Sequence, residues 1–215
     1  MELYILFLTF GILFLGELGD KTQLIVFNLA LEHEKSYKVG IGATLGFAVI
    51  VTLGVIFGAI ITNFVPISLV SIISGIVFIL IGILEARNLK ELYLERKNIK
   101  SEGEIKNNNS IESISKIETP KKLDKLRKNP YLAGFGFIFL MELGDKTQIL
   151  TITLASIYPN PVEVWIGSFL ALICLAWIGV FFGAAIAKKV PKFHLKLMTV
   201  TIFISIGIII LITSI

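Results

Sequence analysis

The sequence predicts an all-α, polytopic membrane protein: six transmembrane helices arranged as two three-helix repeats of inverted topology. Three observations predict it. Hydrophobic residues make up 55% of the 215 residues and the mean hydropathy is +0.84, too apolar for a soluble domain of this length. The heptapeptide Glu-Leu-Gly-Asp-Lys-Thr-Gln occurs twice, at 17–23 and 142–148, each time inside an apolar segment. Both copies belong to a longer duplication. With a constant offset of 125 and no gap, residues 10–83 align with 135–208, and 30 of those 74 positions are identical. Solenoid repeats are shorter and more numerous than this; two long related halves are the signature of a transporter fold.

A helix needs about 20 apolar residues to span a bilayer. Six segments qualify: 3–31, 39–62, 67–86, 131–157, 162–187 and 194–214. The first and fourth exceed a straight crossing, so tilt or an interruption near Gly19 and Gly144 is expected. The opening Met1-Glu2-Leu3-Tyr4 lacks the basic stretch of a signal peptide, and the first segment is expected to be retained as a working helix. The halves are residues 1–87 and 131–215, joined by a basic linker at 88–130. Residues 88–100 suit a charged helical extension, and the Asn- and Ser-rich stretch after them suits disorder. Lys121–Lys128, with Leu123 and Leu126 interleaved, suits either anionic headgroups or a plain solvated tether.

Basic residues set the orientation. Two of the 20 Lys and Arg are the motif lysines. The other 18 fall at Lys35 and Lys38, between Arg87 and Lys128, and at Lys188, Lys189, Lys192 and Lys196; connections 63–66 and 158–161 have none. Alternating spans put the three basic connections on one side, the cytoplasmic one, with both termini outside. Three spans per half then force the second half to enter upside down, which suits alternating access around a midplane site. The net charge of +4 is accounted for by topology and anionic lipid, without nucleic acid.

Ionisable groups near a membrane centre are costly and usually line a transport path. Read as helix, the first motif puts Glu17 and Asp20 on one face with Gln23 a turn later; Lys21 lies four residues after Glu17, and Thr22 adds a hydroxyl. Glu142, Asp145, Lys146, Thr147 and Gln148 repeat this. If the halves meet at their motifs, four carboxylates and the amide oxygens of Gln23 and Gln148 form an all-oxygen set suited to a hard divalent cation such as Ca²⁺, Mg²⁺ or Mn²⁺. Four carboxylates against two lysines leave a charge that one such ion neutralises, and protons compete for the same oxygens when the metal leaves. Softer metals would favour Cys or His. The one cysteine, Cys174, reads as a packing residue, and His33 and His194 as interfacial.

Elsewhere, Gly42, Gly46, Gly54 and Gly58 form a small-residue stripe for close helix contact, and Gly167, Ala171, Gly179 and Gly183 repeat it. Gly19 reads the same way. Thr44, Thr52 and Ser168 are expected to hydrogen-bond their own helix backbone.

The doubled E-x-G-D-K-[ST] motif, in the first and fourth of six segments, resembles the membrane family of Golgi manganese/calcium transporters and bacterial manganese exporters. The resemblance covers nearly the whole chain outside 88–130, and no motif position departs from the pattern. It implies a secondary exchanger, not an enzyme, that moves Mn²⁺ and Ca²⁺ out of the cytoplasm against protons. Glu17, Asp20, Glu142 and Asp145 would form the ion pathway, with Lys21, Thr22, Lys146 and Thr147 completing it. The implied partners are a divalent metal ion, protons and the lipid bilayer; no cofactor is implied. The membrane would be the plasma membrane of a prokaryote or a Golgi-type membrane of a eukaryote. The rival readings are an exporter of another cation such as a basic amino acid, an intramembrane enzyme lacking its usual His pair, and a non-transporting scaffold.

Overall fold

A computed structural model describes the backbone of residues 2–101, 128–189 and 192–214, and the side chains in those ranges other than Lys21, 88–101 and 183–195. The described residues form α-helices only: α1 (Leu3–Glu17), α2 (Lys21–Leu31), α3 (Ser36–Phe64), α4 (Ile67–Ser101), α5 (Pro130–Glu142), α6 (Lys146–Ile157), α7 (Pro161–Lys189) and α8 (Lys192–Ser214). The ends follow local chemistry. Pro66 stops α3 and precedes α4, while Pro161 opens α7 at a position where its missing N–H costs nothing. Asn129 caps α5 by accepting from the Tyr131 N–H, and Pro130 stands at the first helical position. The expected extension at 88–100 is the C-terminal part of α4; the rest of the linker to residue 127, Pro191 and the side chains of Gly183 and His194 lie outside the described residues.

Four helices, α3, α4, α7 and α8, contain stretches long and apolar enough to cross a membrane, so the chain is a polytopic helical membrane protein. The remaining apolar sequence is in pairs of shorter helices. Leu3–Glu17 and Thr22–Leu31 meet at 72°, and α5 with α6 covers the expected fourth segment in pieces of 13 and 12 residues. The interruptions fall where they are expected, at Gly19 and Gly144.

Packing follows the sequence duplication crosswise. α3 lies on α5 and α6, and α7 lies on α1 and α2; α4 packs on α8, and α3 on α7. Gly42 and Gly167, related by the offset of 125, show why small residues recur. A Cβ on Gly42 would strike the Tyr131 carbonyl oxygen, and one on Gly167 would strike that of Leu6, the residue 125 before Tyr131. Backbones touch at both places, so only glycine fits. The interior is filled by Leu13, Val26, Phe47, Ile50, Phe78, Ile138, Leu150 and Phe203, while Leu69, Ile73, Ile76 and Leu80 on α4 and Ile208, Ile209 and Ile212 on α8 face outward. Such a large exposed apolar surface fits lipid.

Three smaller expectations resolve differently. Thr44 and Thr52 do donate to their own helix, to Gly40 O and Ala48 O. Ser168 does not: its Oγ is buried with no hydrogen-bond partner among the described residues. Cys174 is on an exposed face of α7 and is not packed in the core.

Candidate cation pathway

The motif is a helix break, which corrects its reading as continuous helix. α1 ends at Glu17; Leu18 is extended, Gly19 takes φ +81°, and α2 starts at Lys21. The second copy repeats this, with Leu143 extended and Gly144 at φ +83°. L-residues avoid that region, whereas glycine enters it without strain. Both glycines therefore serve the turn, and Gly144 does not serve helix contact as well: a Cβ there would meet nothing within 4 Å. Because the chain turns between Glu17 and Asp20, the two carboxylates leave the common face that helical spacing assigns them.

Each break supplies its own cap. The Gly19 N–H donates to Gln23 Oε1 at 3.1 Å, and the Gly144 N–H to Gln148 Oε1 at 2.7 Å. A buried helix end needs such a partner. The two glutamine oxygens that were expected as metal ligands are thus engaged with the backbone.

The two breaks interlock. Thr22 Oγ1, in the first turn of α2, donates to Glu142 Oε1 at 2.7 Å; Thr147 Oγ1, in the first turn of α6, donates to Glu17 Oε1 at 2.8 Å. Each glutamate therefore meets the N-terminal turn of the opposite half, where the helix dipole favours negative charge. Both glutamates are buried, Glu17 at 5% and Glu142 at 1% exposure. They line one small cavity of about 10 Å³ with Thr22, Gln23, Val26, Phe47, Leu172, Leu175 and Ala176. Among the described residues, Glu142 Oε2 and Gln23 Nε2 have no hydrogen-bond partner.

The aspartates and Lys146 are placed elsewhere. Asp20 lines a second cavity, of about 30 Å³, with Gly16, Leu18, Gly19, Glu85, Lys146, Lys196 and Thr199. Lys146 Nζ lies 2.5 Å from Asp20, 3.2 Å from Glu85, 3.8 Å from Glu17 and 3.1 Å from the Gly16 carbonyl oxygen. It pairs across to the first half; pairing with Glu142, four residues earlier, is what helical spacing suggests. Asp145 is exposed and accepts from the Lys146 N–H at 2.7 Å. The side chain of Lys21 lies outside the described residues. Among the described residues, no three Asp, Glu, His or Cys side chains are grouped to hold a metal ion, so the four carboxylates do not form one shell in this conformation. Sequence reasoning missed Glu85. It stands two residues before Arg87 at the end of an apolar segment, where an acidic residue reads as interfacial.

A family model described as divalent cation/proton antiporter GDT1 matches residues 5–91 and 130–215. Among curated proteins, GDT1-like protein sll0615 of Synechocystis is 28% identical over 178 residues, 82% of each chain. A GDT1-like protein of Schizosaccharomyces pombe, C17G8.08c, is 23% identical over 233 residues, 95% of this chain and 80% of its own. GDT1-like protein 3 of rice is 26% identical over 194 residues; the match takes in 87% of this chain and spans 66% of the rice protein's length. No solved structure matches at the same significance.

Proposed function

Because the chain belongs to the divalent cation/proton antiporter GDT1 family, we propose that it is a secondary active transporter exchanging Mn²⁺ or Ca²⁺ for protons and exporting the metal from the cytoplasm. One observation carries this reading. Glu142 Oε2 is buried beside Glu17 with no hydrogen-bond partner among the described residues, in a cavity whose other walls are largely apolar. A carboxylate in that setting is stable only with a counter-charge, which is a bound cation or a proton. The two choices exclude each other on the same oxygen, and that exclusion is the coupling. Each proton leaving Glu17 or Glu142 exposes one negative charge, and two such charges neutralise one divalent ion.

The Thr22 and Thr147 hydroxyls hold one oxygen of each glutamate and leave the other for the cation. Asp20 and Asp145 extend the carboxylate path away from the centre, and Gln23 and Gln148 keep the breaks formed. Lys21 and Lys146 complete the charge balance as counter-ions. Hard oxygen ligands favour Mn²⁺ and Ca²⁺ over zinc or copper. The α1–α2 and α5–α6 pairs each count as one broken span, giving six crossings with the second half inverted. That arrangement rests on the crosswise packing and on the basic connections. Both termini then lie outside, and a prokaryotic owner would keep the protein in its plasma membrane.

The test is metal uptake into proteoliposomes under an imposed pH gradient, comparing Mn²⁺, Ca²⁺ and Mg²⁺. Gradient-dependent uptake that Glu17→Gln abolishes is expected. Uptake of lysine or arginine in place of any metal would move the function to an organic cation exporter; no uptake of either from folded protein would leave a scaffold.

A further inference from the structure

The Lys146 ammonium stands where a cation would stand, among oxygens of Asp20, Glu17, Glu85 and Gly16. Three of these four residues belong to the first repeat's motif or adjoin it. Glu85 does not: the offset of 125 that relates the halves puts Ile210 opposite it. It is also shared. Its Oε1 faces Lys146 at 3.2 Å while its Oε2 accepts from Lys196 Nζ at 2.9 Å. The side chain of Glu85 is only 10% exposed, so neither contact is a solvent-screened surface pair.

We infer that Glu85 is a positioning residue for Lys146 and thereby sets the apparent cation affinity of the pathway. The inference rests on the exchanger reading above. Lys146 neutralises Asp20 and Glu17, so it competes with the incoming divalent ion for the same carboxylates. Glu85 draws the ammonium towards the wall of the cavity and weakens that competition. Lys196 takes up part of the Glu85 charge and so limits how strongly Glu85 draws. The device is built from both halves but exists beside Asp20 only, since the positions related to Glu85 and Lys196 are Ile210 and Ser71, so the two motif copies meet the cation with different affinities. Glu85 acts through Lys146 and is not itself a ligand.

The consequence is a pair of opposite signs. Glu85→Gln leaves Lys146 to Asp20 and Glu17, and cation binding weakens. Lys196→Gln leaves Glu85 wholly to Lys146, and binding tightens. A merely structural role for the network would weaken binding in both variants. Field effects alone would give the same signs, so the deciding measurement is a double-mutant cycle with Lys146→Gln. Mn²⁺ binding to purified, detergent-solubilised protein is followed by titration calorimetry, which needs no transport. Directly contacting groups couple strongly enough that Glu85→Gln is expected to weaken Mn²⁺ binding about tenfold when Lys146 is present, and less than about twofold when it is Gln. Equal weakening in both backgrounds, or none in either, overturns the inference. If Glu85→Gln does not fold, Lys196→Gln is measured with and without Lys146→Gln: tighter binding only when Lys146 is present supports the role, whereas equal tightening in both backgrounds, or weaker or unchanged binding, overturns it. Absence of Mn²⁺ and Ca²⁺ binding by the unaltered protein would instead strike the exchanger reading.

Discussion

The two copies of the heptapeptide share seven residues and one backbone, yet they stand in different surroundings. Both break their helix at a glycine with φ near +80°, both use the glutamine to cap that glycine, and both send a threonine to the other copy's glutamate. The aspartates part company. Asp20 faces an ammonium in a cavity with Glu85 and Lys196, whereas Asp145 is exposed and bonds the backbone beside it. The duplicated residues determine what is common, and the unduplicated neighbours determine what differs. Glu85 of the first half has Ile210 as its counterpart in the second, and Lys196 of the second half has Ser71 as its counterpart in the first.

The largest effect expected is on the shared centre. Glu17→Gln and Glu142→Gln should each lower metal-driven proton exchange about 100-fold or more, since each removes an intramembrane charge that the path requires. Flux assays that found one glutamate dispensable would break the equivalence. Next come the crossed hydrogen bonds. Thr22→Val and Thr147→Val each strip a donor from a buried carboxylate, at a cost of about 1.5–3 kcal/mol. Thermal unfolding in detergent should show similar losses for both; unequal losses would mean that the interlock is lopsided. Gly144→Ala places a side chain in open space at φ +83°, so its cost is backbone strain alone, about 1–2 kcal/mol. A neutral Gly144→Ala would show that the break relaxes without glycine.

The smallest effect sharpens the difference. With Cys174 replaced by Ala, Asp145→Cys should react with a hydrophilic thiol reagent about tenfold faster than Asp20→Cys, as access to the thiol differs. Equal rates would erase the distinction between the aspartates.

Much of this was legible in the sequence. The excess length of the first and fourth segments and their central glycines marked the interruptions, and the small-residue stripe marked the backbone contacts of Gly42 and Gly167. The internal geometry of the motif was not legible. Spacing of three and four residues implies a shared face only while φ stays helical, and a single glycine at positive φ removes that premise. The same turn opens the backbone N–H groups that engage Gln23 and Gln148. Glu85 escaped because its meaning depends on Lys146, 61 residues further along and across the fold. No local pattern encodes that meeting.

The account stands most directly on metal and proton competing for Glu17 and Glu142. Addition of Mn²⁺ to purified protein in weak buffer, with a pH indicator, measures it. The account predicts proton release on metal binding by the unaltered protein and a clear reduction in Glu142→Gln. Metal binding without proton release would contradict it.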